Sequence, residues 1–278
     1  PTDPRPMIAV QRVHAYIFSF FLLFSCEQNG VEEEINMDPV NIPDRAFLYD
    51  LINLGVDTNG DSIISFGEAE AVTFLDITNY YGYYVTDVQG LEAFTNLCSL
   101  VFRCNVIDEL DLSNNTALKK VIAYDNDLQR IDVSKCSELE ELHVGSEGFC
   151  YNNKLTSLNV SNNSKLKILK CGNNQLSELN VYQNAELEIL ECHLNQITNL
   201  DLSNSRKLLE LIVWNNQIST LNVSSCLSLR RLDFRGNQIS SIDLSHNLGL
   251  QDLDGCRNSL FSLDISNNQE LEKILLAE

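Results

Sequence analysis

Leucine falls at positions 97, 118, 139, 166, 187, 208, 229, 250 and 271, so successive copies start 21, 21, 27, 21, 21, 21, 21 and 21 residues apart. A fixed period in the twenties predicts a solenoid, one coil per copy. Residues 166–186 carry the pattern most cleanly. Leu166, Leu169 and Cys171 are followed by Asn174, and then Leu176, Leu179 and Val181 are followed by Asn184. The unit is nested, and both halves repeat the same inward positions, which predicts a short extended strand in each. A single copy cannot bury its apolar row alone; stacking on the next coil does it. The spacing of 27, six more than 21, marks an insertion around Gly145–Asn152.

Two polar rows accompany the apolar ones. Asn recurs at 105, 126, 153, 174, 195, 216, 237 and 258, where its amide can satisfy backbone groups exposed as the coil turns. A second row reads Asn115, Cys136, Asn163, Asn184, Ser205, Cys226, Asn247 and Asn268. Both rows read as structural, not catalytic. The pattern LxxLxCxxNxLxxLxVxxNxx resembles the 21-residue bacterial variety of the leucine-rich repeat family over residues 97–278. The resemblance implies a β-rich, right-handed coil of short parallel strands. Residues 69–96, with an irregular first strand at Val72–Ile77, resemble the cap of internalin-like proteins. Leu271–Glu278 begins another copy and stops, so the repeats are expected to be truncated at the carboxyl end.

Before the repeats, Asp44 can cap a helix from Arg45 to about Val56, with Phe47, Leu48, Leu51, Ile52 and Leu54 as its apolar stripe. Asp57–Glu68 then reads against D-x-[DN]-x-[DN]-G-x5-E. Asp57, Asn59 and Asp61 take the first, third and fifth positions, Ile63 supplies the carbonyl at the seventh, and Glu68 is the bidentate twelfth. Calcium takes six to eight oxygens, and this spacing wraps such a set around one point. The segment resembles an EF-hand or dockerin-type loop, with Ser62 where those loops have Gly. A single loop implies a structural calcium ion, not a sensor pair. The alternative is a polar turn without metal.

At the other end of the hydropathy scale, Arg12 and His14 precede an apolar run, Ala15–Phe24. The run suits the roughly 7–15 residues of a signal-peptide core and falls short of the ~20 of a spanning helix. Met7 is the plausible start. Leu23-Phe24-Ser25-Cys26 resembles a lipoprotein lipobox, with Phe24 bulkier than usual, and so implies cleavage before Cys26 and lipidation of its thiol. The other reading is a buried helix with an incidental Cys. An acidic tether follows, Glu27–Glu34. The organisation expected is 1–26 signal and lipobox, 27–43 flexible tether, 44–96 calcium loop and N-terminal cap, and 97–278 repeats.

The 278 residues carry 19 Lys+Arg against 39 Asp+Glu, a net charge of −20. That disfavours nucleic acid and anionic surfaces as partners. The chain has nine cysteines and no CxxC pair. Ladder geometry strings side chains along a line, whereas zinc needs four converging ligands, so the cysteines beyond Cys26 read as buried thiols. Cys171 and Cys192 face inward on consecutive coils, close enough for a strained disulfide as the alternative. No nucleophile elbow, phosphate loop or HExxH is present, and an enzyme is not expected.

What remains is surface. Outward positions vary in the first half of each copy and are monotonous Ser, Thr, Asn and Asp in the second. Ile168, Ile189 and Ile212, beside Trp214, His193 and Arg235, have the composition of an interface hot spot; ordinary half-buried solenoid surface is the bland reading. The sequence therefore suggests a monomeric, lipid-anchored module in the cell envelope of a Gram-negative bacterium. It would bind a protein or glycan at the cell surface. The alternative is a rigid stalk for a missing carboxyl-terminal domain.

Overall fold

The computed structural model describes residues 36–79, 82–146 and 152–276. The chain divides into two units, 1–34 and 35–278, and the described residues belong to the second. The signal and lipobox, with Cys26, and part of the six-residue insertion lie outside them. Among the described residues, no helix is long and apolar enough to cross a membrane.

Helix α1 (Arg45–Asn53) starts where the sequence places it: Asp44 Oδ1 accepts the N–H groups of Ala46 at 2.8 Å and Phe47 at 3.0 Å. It buries Phe47 and Leu51. It ends sooner than expected. Gly55 turns left-handed at φ 80° and bonds the carbonyl of Ile52, and Leu54, expected in the apolar stripe, is exposed beyond the helix end. Helix α2 (Phe66–Glu70) opens on a capping box between Ser65 and Glu68.

Then come β1 (Phe74–Asp76), β2 (Ser99–Val101), β3 (Glu109–Asp111), β4 (Lys120–Ile122), β5 (Arg130–Asp132), β6 (Glu141–His143), β7 (Ile168–Lys170), β8 (Ile189–Glu191), β9 (Glu210–Ile212), β10 (Arg231–Asp233), β11 (Asp252–Asp254) and β12 (Lys273–Leu275). Among the described residues, ten of these form one sheet in the order β1-β2-β4-β6-β7-β8-β9-β10-β11-β12. Every pair is parallel and in phase, for example Ile168↔Ile189 and Leu169↔Leu190. From β2 onward the strands start at 99, 120, 141, 168, 189, 210, 231, 252 and 273, which reproduces the 21-residue period and its one interruption. The middle residue of each of these strands from Leu100 to Leu253 is buried. The chain is therefore a parallel β-solenoid.

The second half of each coil departs from expectation. Only β3 and β5 form a second ladder among the described residues. The inward side chains of later coils, such as Leu179, Val181, Leu221 and Val223, are buried as predicted. Their backbones, however, keep bonds between coils mainly at the start of the segment, as from Gln175 N to Leu155 O (2.9 Å) and Gln196 N to Leu176 O (2.8 Å). The apolar pattern encodes burial; it does not encode a ladder.

The asparagine row at 105–258 bridges coils from both ends of its amide, except at Asn126, where only Nδ2 is bonded. Asn195 Oδ1 accepts the N–H of Leu176 at 2.9 Å, and its Nδ2 donates to the carbonyls of Cys171 and Cys192, each at 3.0 Å. Asn174, Asn216, Asn237 and Asn258 repeat this. The residue just before the row is left-handed in most coils: Cys104, Asp125, Asn173, Leu194, Asn215, Gly236 and Arg257.

The cysteine reading needs amending. Cys136, Cys171, Cys192 and Cys226 are buried free thiols, so Cys171 and Cys192 form no disulfide. Burial pushes the Cys192 thiol up to about 12 and Cys171 well above its usual value. Cys98 and Cys256 are only half-buried. Cys104 is disulfide-bonded, contrary to the expectation of thiols throughout.

Candidate functional site

The ten-stranded sheet presents three outward rows. The first residue of each strand gives Glu141, Ile168, Ile189, Glu210 and Arg231 in register. The third gives His143, Lys170, Glu191, Ile212 and Asp233. Two residues past each strand end lies a row of Arg103, Tyr124, Gly145, Gly172, His193, Trp214 and Arg235.

Ile168 and Ile189 are directly paired and half-buried, an apolar spot between the charges of Glu141 and Glu210. Ile212 does not join them. It stands in the third row, opposite Glu191 and Asp233, and is only 7% exposed, so it adds nothing to the expected exposed patch.

Trp214 is also differently placed from a bare hot spot. His193 stacks on one face with centroids 4.5 Å apart and planes 13° apart. The Arg235 guanidinium lies 5.1 Å from the ring centroid. Arg235 is held in turn by Asp233 at 3.2 Å and Asp254 at 3.4 Å. His193, Trp214 and Arg235 thus come together as predicted, but as a closed stack that offers its edges. In earlier coils of the same row, Arg103 donates to the Tyr124 hydroxyl at 2.9 Å and lies over its ring at 5.6 Å.

Charges on the face are largely paired across strands: Lys120 with Glu141 at 2.6 Å, Lys170 with Glu191 at 2.9 Å, Arg231 with Glu210 at 3.7 Å. Half-exposed pairs of this kind contribute little stability; their effect here is to cancel charge along the strip. Burial lowers His143 to about 4, with Lys170 adding to the effect, and lowers His193 below the usual imidazole range. Both imidazoles are neutral at pH 7. Burial raises Asp233 above the usual carboxylate range, against the pull of Arg235.

Sequence reasoning passed over Gly145 and Gly172. A Cβ at Gly172 would lie 2.5 Å from the His193 ring, so the imidazole lies flat only because nothing projects there. The signal was available: the two glycines fall in a row otherwise filled by Arg, Tyr, His and Trp.

The loop 57–68 lies apart from this face. Asp57 accepts the N–H groups of Gly60 at 2.7 Å and Ser62 at 2.9 Å, Asn59 accepts Asp61 N at 2.8 Å, and Asp61 accepts Ile63 N at 2.9 Å. Ser62 takes φ 65°, the left-handed turn for which the template uses Gly. The segment 36–40 lies alongside, Val40 N bonding Ile64 O at 2.7 Å. Glu68 is buried and committed: Oε1 accepts the backbone and hydroxyl of Thr58, both at 2.8 Å, and Oε2 those of Ser65, both at 2.9 Å. The Ser65 N–H and the Thr58 donors together outweigh burial and hold Glu68 at about 2. The donors are hard oxygens of the kind calcium takes. Among the described residues, however, no three His, Cys, Asp or Glu groups converge as a ready metal cluster. The loop holds its shape on protein hydrogen bonds.

No protein-family model matches the chain, and no curated protein matches it in sequence. Solved structures do. The functional domain of InlJ from Listeria monocytogenes, described as including a cysteine ladder, superposes with a TM-score of 0.65 at 28% identity, over 86% of this chain and 57% of that one. A leucine-rich repeat protein of Leptospira interrogans gives 0.66 at 21% identity, over 76% and 57%. Internalin C2 of Listeria monocytogenes gives 0.65 at 21% identity, over 84% and 100%. The fold is a leucine-rich repeat solenoid. The chain spans 57% of the length of the first two of these structures. Within the leucine-rich repeat solenoid, Cys171 and Cys192 form two consecutive inward rungs of thiols, flanked by Val144 and Val213.

Proposed function

We propose that this chain is a recognition module of the cell envelope that presents its ten-stranded face to a protein or glycan at the cell surface. The observation that carries the reading is the placement of the paired Ile168 and Ile189 and the locked His193–Trp214–Arg235 stack on one continuous sheet. Its charges are mutually cancelled, and rigid, charge-balanced aromatic edges suit specific docking better than general attraction. The internalin-type structural neighbours support a recognition reading.

In this reading the chain is anchored through lipid on Cys26, in the outer membrane of a Gram-negative bacterium. The loop 57–68 holds one structural calcium ion through Asp57, Asn59, Asp61, the Ile63 carbonyl and Glu68. The ion would stiffen the N-terminal cap. What supports the ion is the left-handed Ser62 and the three side chains turned into one loop. Calorimetry with calcium chloride tests it; absence of heat and of any rise in melting temperature would sink it. Unchanged membrane fractionation of Cys26→Ala would remove the anchor.

The face itself is tested by binding of labelled protein to intact cells. Ile168→Asp combined with Ile189→Asp should reduce binding at least tenfold. Leu227→Asp, an exposed residue away from the strands, should leave it unchanged. Equal binding by all three proteins would leave the chain as a rigid spacer.

A further inference from the structure

The first strand of the sheet is an open edge. β1 pairs with β2 alone. Thr73 O accepts Ser99 N at 3.2 Å, and Ile77 N donates to Val101 O at 2.8 Å, so these residues turn their backbone groups toward β2. Backbone groups alternate sides along a strand, which turns those of Phe74 and Asp76 to the free edge. No backbone bond from residues 36–70 reaches them. Such an edge is a template for another chain, and proteins commonly guard it with Lys or Pro. The opposite edge strand, β12, opens on Lys273. β1 has no such guard and presents Phe74, 59% exposed. Past its far end stand the exposed rings of Tyr83 and Tyr84. The edge is also acidic. Residues 36–98 hold ten Asp and Glu against one basic residue, Arg45, a local net charge of −9. Among the described residues none of the ten joins an ion pair, whereas the strand face from β4 onward pairs its charges between strands. Two of them bracket the edge. Asp76 lies on β1 itself, and exposed Glu70 is held near the start of β2 by Asn96 Nδ2, which donates to its carbonyl at 2.9 Å.

We infer that the free edge of β1 takes up an extended, basic segment of a partner protein, which joins the sheet as a further strand. The inference stands apart from the recognition reading above, because it rests on a different place and a different chemistry. Strand addition gives a guest main-chain bonds whatever its sequence, and side chains then decide which guest is taken. Here they favour Lys and Arg. Unpaired carboxylates speed the encounter with a basic chain, and a guanidinium can lie over Phe74 or Tyr83 as that of Arg235 lies over Trp214. Charge disfavours the other occupants at hand. A second copy of this chain brings a net charge of −20, and its own segment 27–34 brings four Glu and no basic residue.

The test uses the full chain and a labelled peptide of about ten residues that alternates Arg and Thr, followed by fluorescence anisotropy at ~0.15 M salt. The peptide should bind, and its Glu-for-Arg counterpart should bind at least tenfold more weakly. N-methylation of every second residue strips the N–H groups from one edge of the peptide, and in at least one of the two registers it should cost tenfold. Phe74→Ser, which leaves the charge unchanged, should also weaken binding tenfold. Asp201→Asn with Asp243→Asn, which removes two charges from the second-half face, should leave it unchanged. If Phe74→Ser melts early, hydrogen exchange in the parent chain decides the matter, and the amides of Phe74 and Asp76 should gain protection when the peptide is added. No binding, full binding by both methylated registers, no change in those amides, or a loss in the Asp201 and Asp243 variant as large as that in Phe74→Ser would overturn the inference, the last by reducing it to general attraction between opposite charges. The Ile168 and Ile189 variant should bind the peptide as the parent does, so the edge and the recognition face can fail separately.

Discussion

The two asparagine rows of the solenoid look alike in sequence and are bonded differently. In the row at 105–258 seven of the eight side chains work from both ends, as Asn195 does with Leu176 N on one side and the Cys171 and Cys192 carbonyls on the other; Asn126 alone bonds through Nδ2 only. All eight positions are Asn. In the other row only the Nδ2 end works. Asn184 donates to Val160 O and Asn163 O, each at 2.9 Å, while the Oδ1 atoms of Asn115, Asn163, Asn184, Asn247 and Asn268 have no partner. That row admits Cys136, Ser205 and Cys226. Cys136 shows why: its Sγ faces the equivalent carbonyls, Leu112 O at 3.4 Å and Asn115 O at 3.7 Å, and carries no acceptor to leave stranded. A position that needs a donor and an acceptor in fixed geometry has one solution among the side chains; a position that needs a donor has several.

The sharpest break of this comparison is Asn195→Ala. It strands one N–H and two carbonyls in the core and should cost about 3 kcal/mol, given ~1–3 kcal/mol per orphaned buried group and partial relaxation. A fall in the urea midpoint at unchanged slope measures it; a loss as small as that of a second-row change would remove the distinction. Next in size is the cap, where an ionised carboxylate does what a neutral amide does in the coils. Glu68→Gln should cost about 2 kcal/mol, in the range for hydrogen bonds to a charged group. Because Glu68 sits at about 2 when folded and near 4.5 when unfolded, its contribution is whole above pH 4.5 and is lost as pH falls toward 2. Hydrogen exchange followed from pH 5 down to pH 2 should therefore show progressive loss of protection at the amides of Thr58 and Ser65 while those of the asparagine ladders, which do not titrate, stay protected.

Smaller effects refine the picture. Leu194 holds φ 51° just before Asn195, and Leu194→Gly should stabilise by roughly 1 kcal/mol through relief of left-handed strain. The smallest change is Asn184→Cys, expected within about 1 kcal/mol of the parent by thermal melt, since one weak donor replaces two bonds and an orphaned oxygen disappears. A cost equal to that of Asn195→Ala would mean that Oδ1 of the second row is satisfied after all.

Much of this could be read from the chain itself. Each inward Leu meets one environment, its counterpart in the next coil, so the 21-residue spacing carried the register of every strand pair. Asp44 as a helix cap was equally local. The strands of the second half were misread because alternation reports which side chains are buried, while a ladder requires a run of backbone bonds between coils, which among the described residues only β3 and β5 complete. Helix α1 stops at Asn53 because Gly55 turns left-handed, a backbone event invisible to apolar periodicity. At the face, the sequence brought His193, Trp214 and Arg235 into one row. It did not disclose that the ring faces are covered, which depends on side-chain rotation, nor the burial of Ile212.

The closed stack around Trp214 has a spectroscopic consequence. The chain contains one tryptophan, so indole emission, excited selectively beyond the tyrosine absorption, comes from this place on the strand face. The indole lies between an imidazole at 4.5 Å and a guanidinium at 5.1 Å, a sandwich whose emission changes with any tilt of either layer. Protonation of His193, displaced below the ordinary imidazole range by burial, would put a positive charge against the ring and quench it. The protein thus carries a built-in optical gauge of its own binding face, readable without a label.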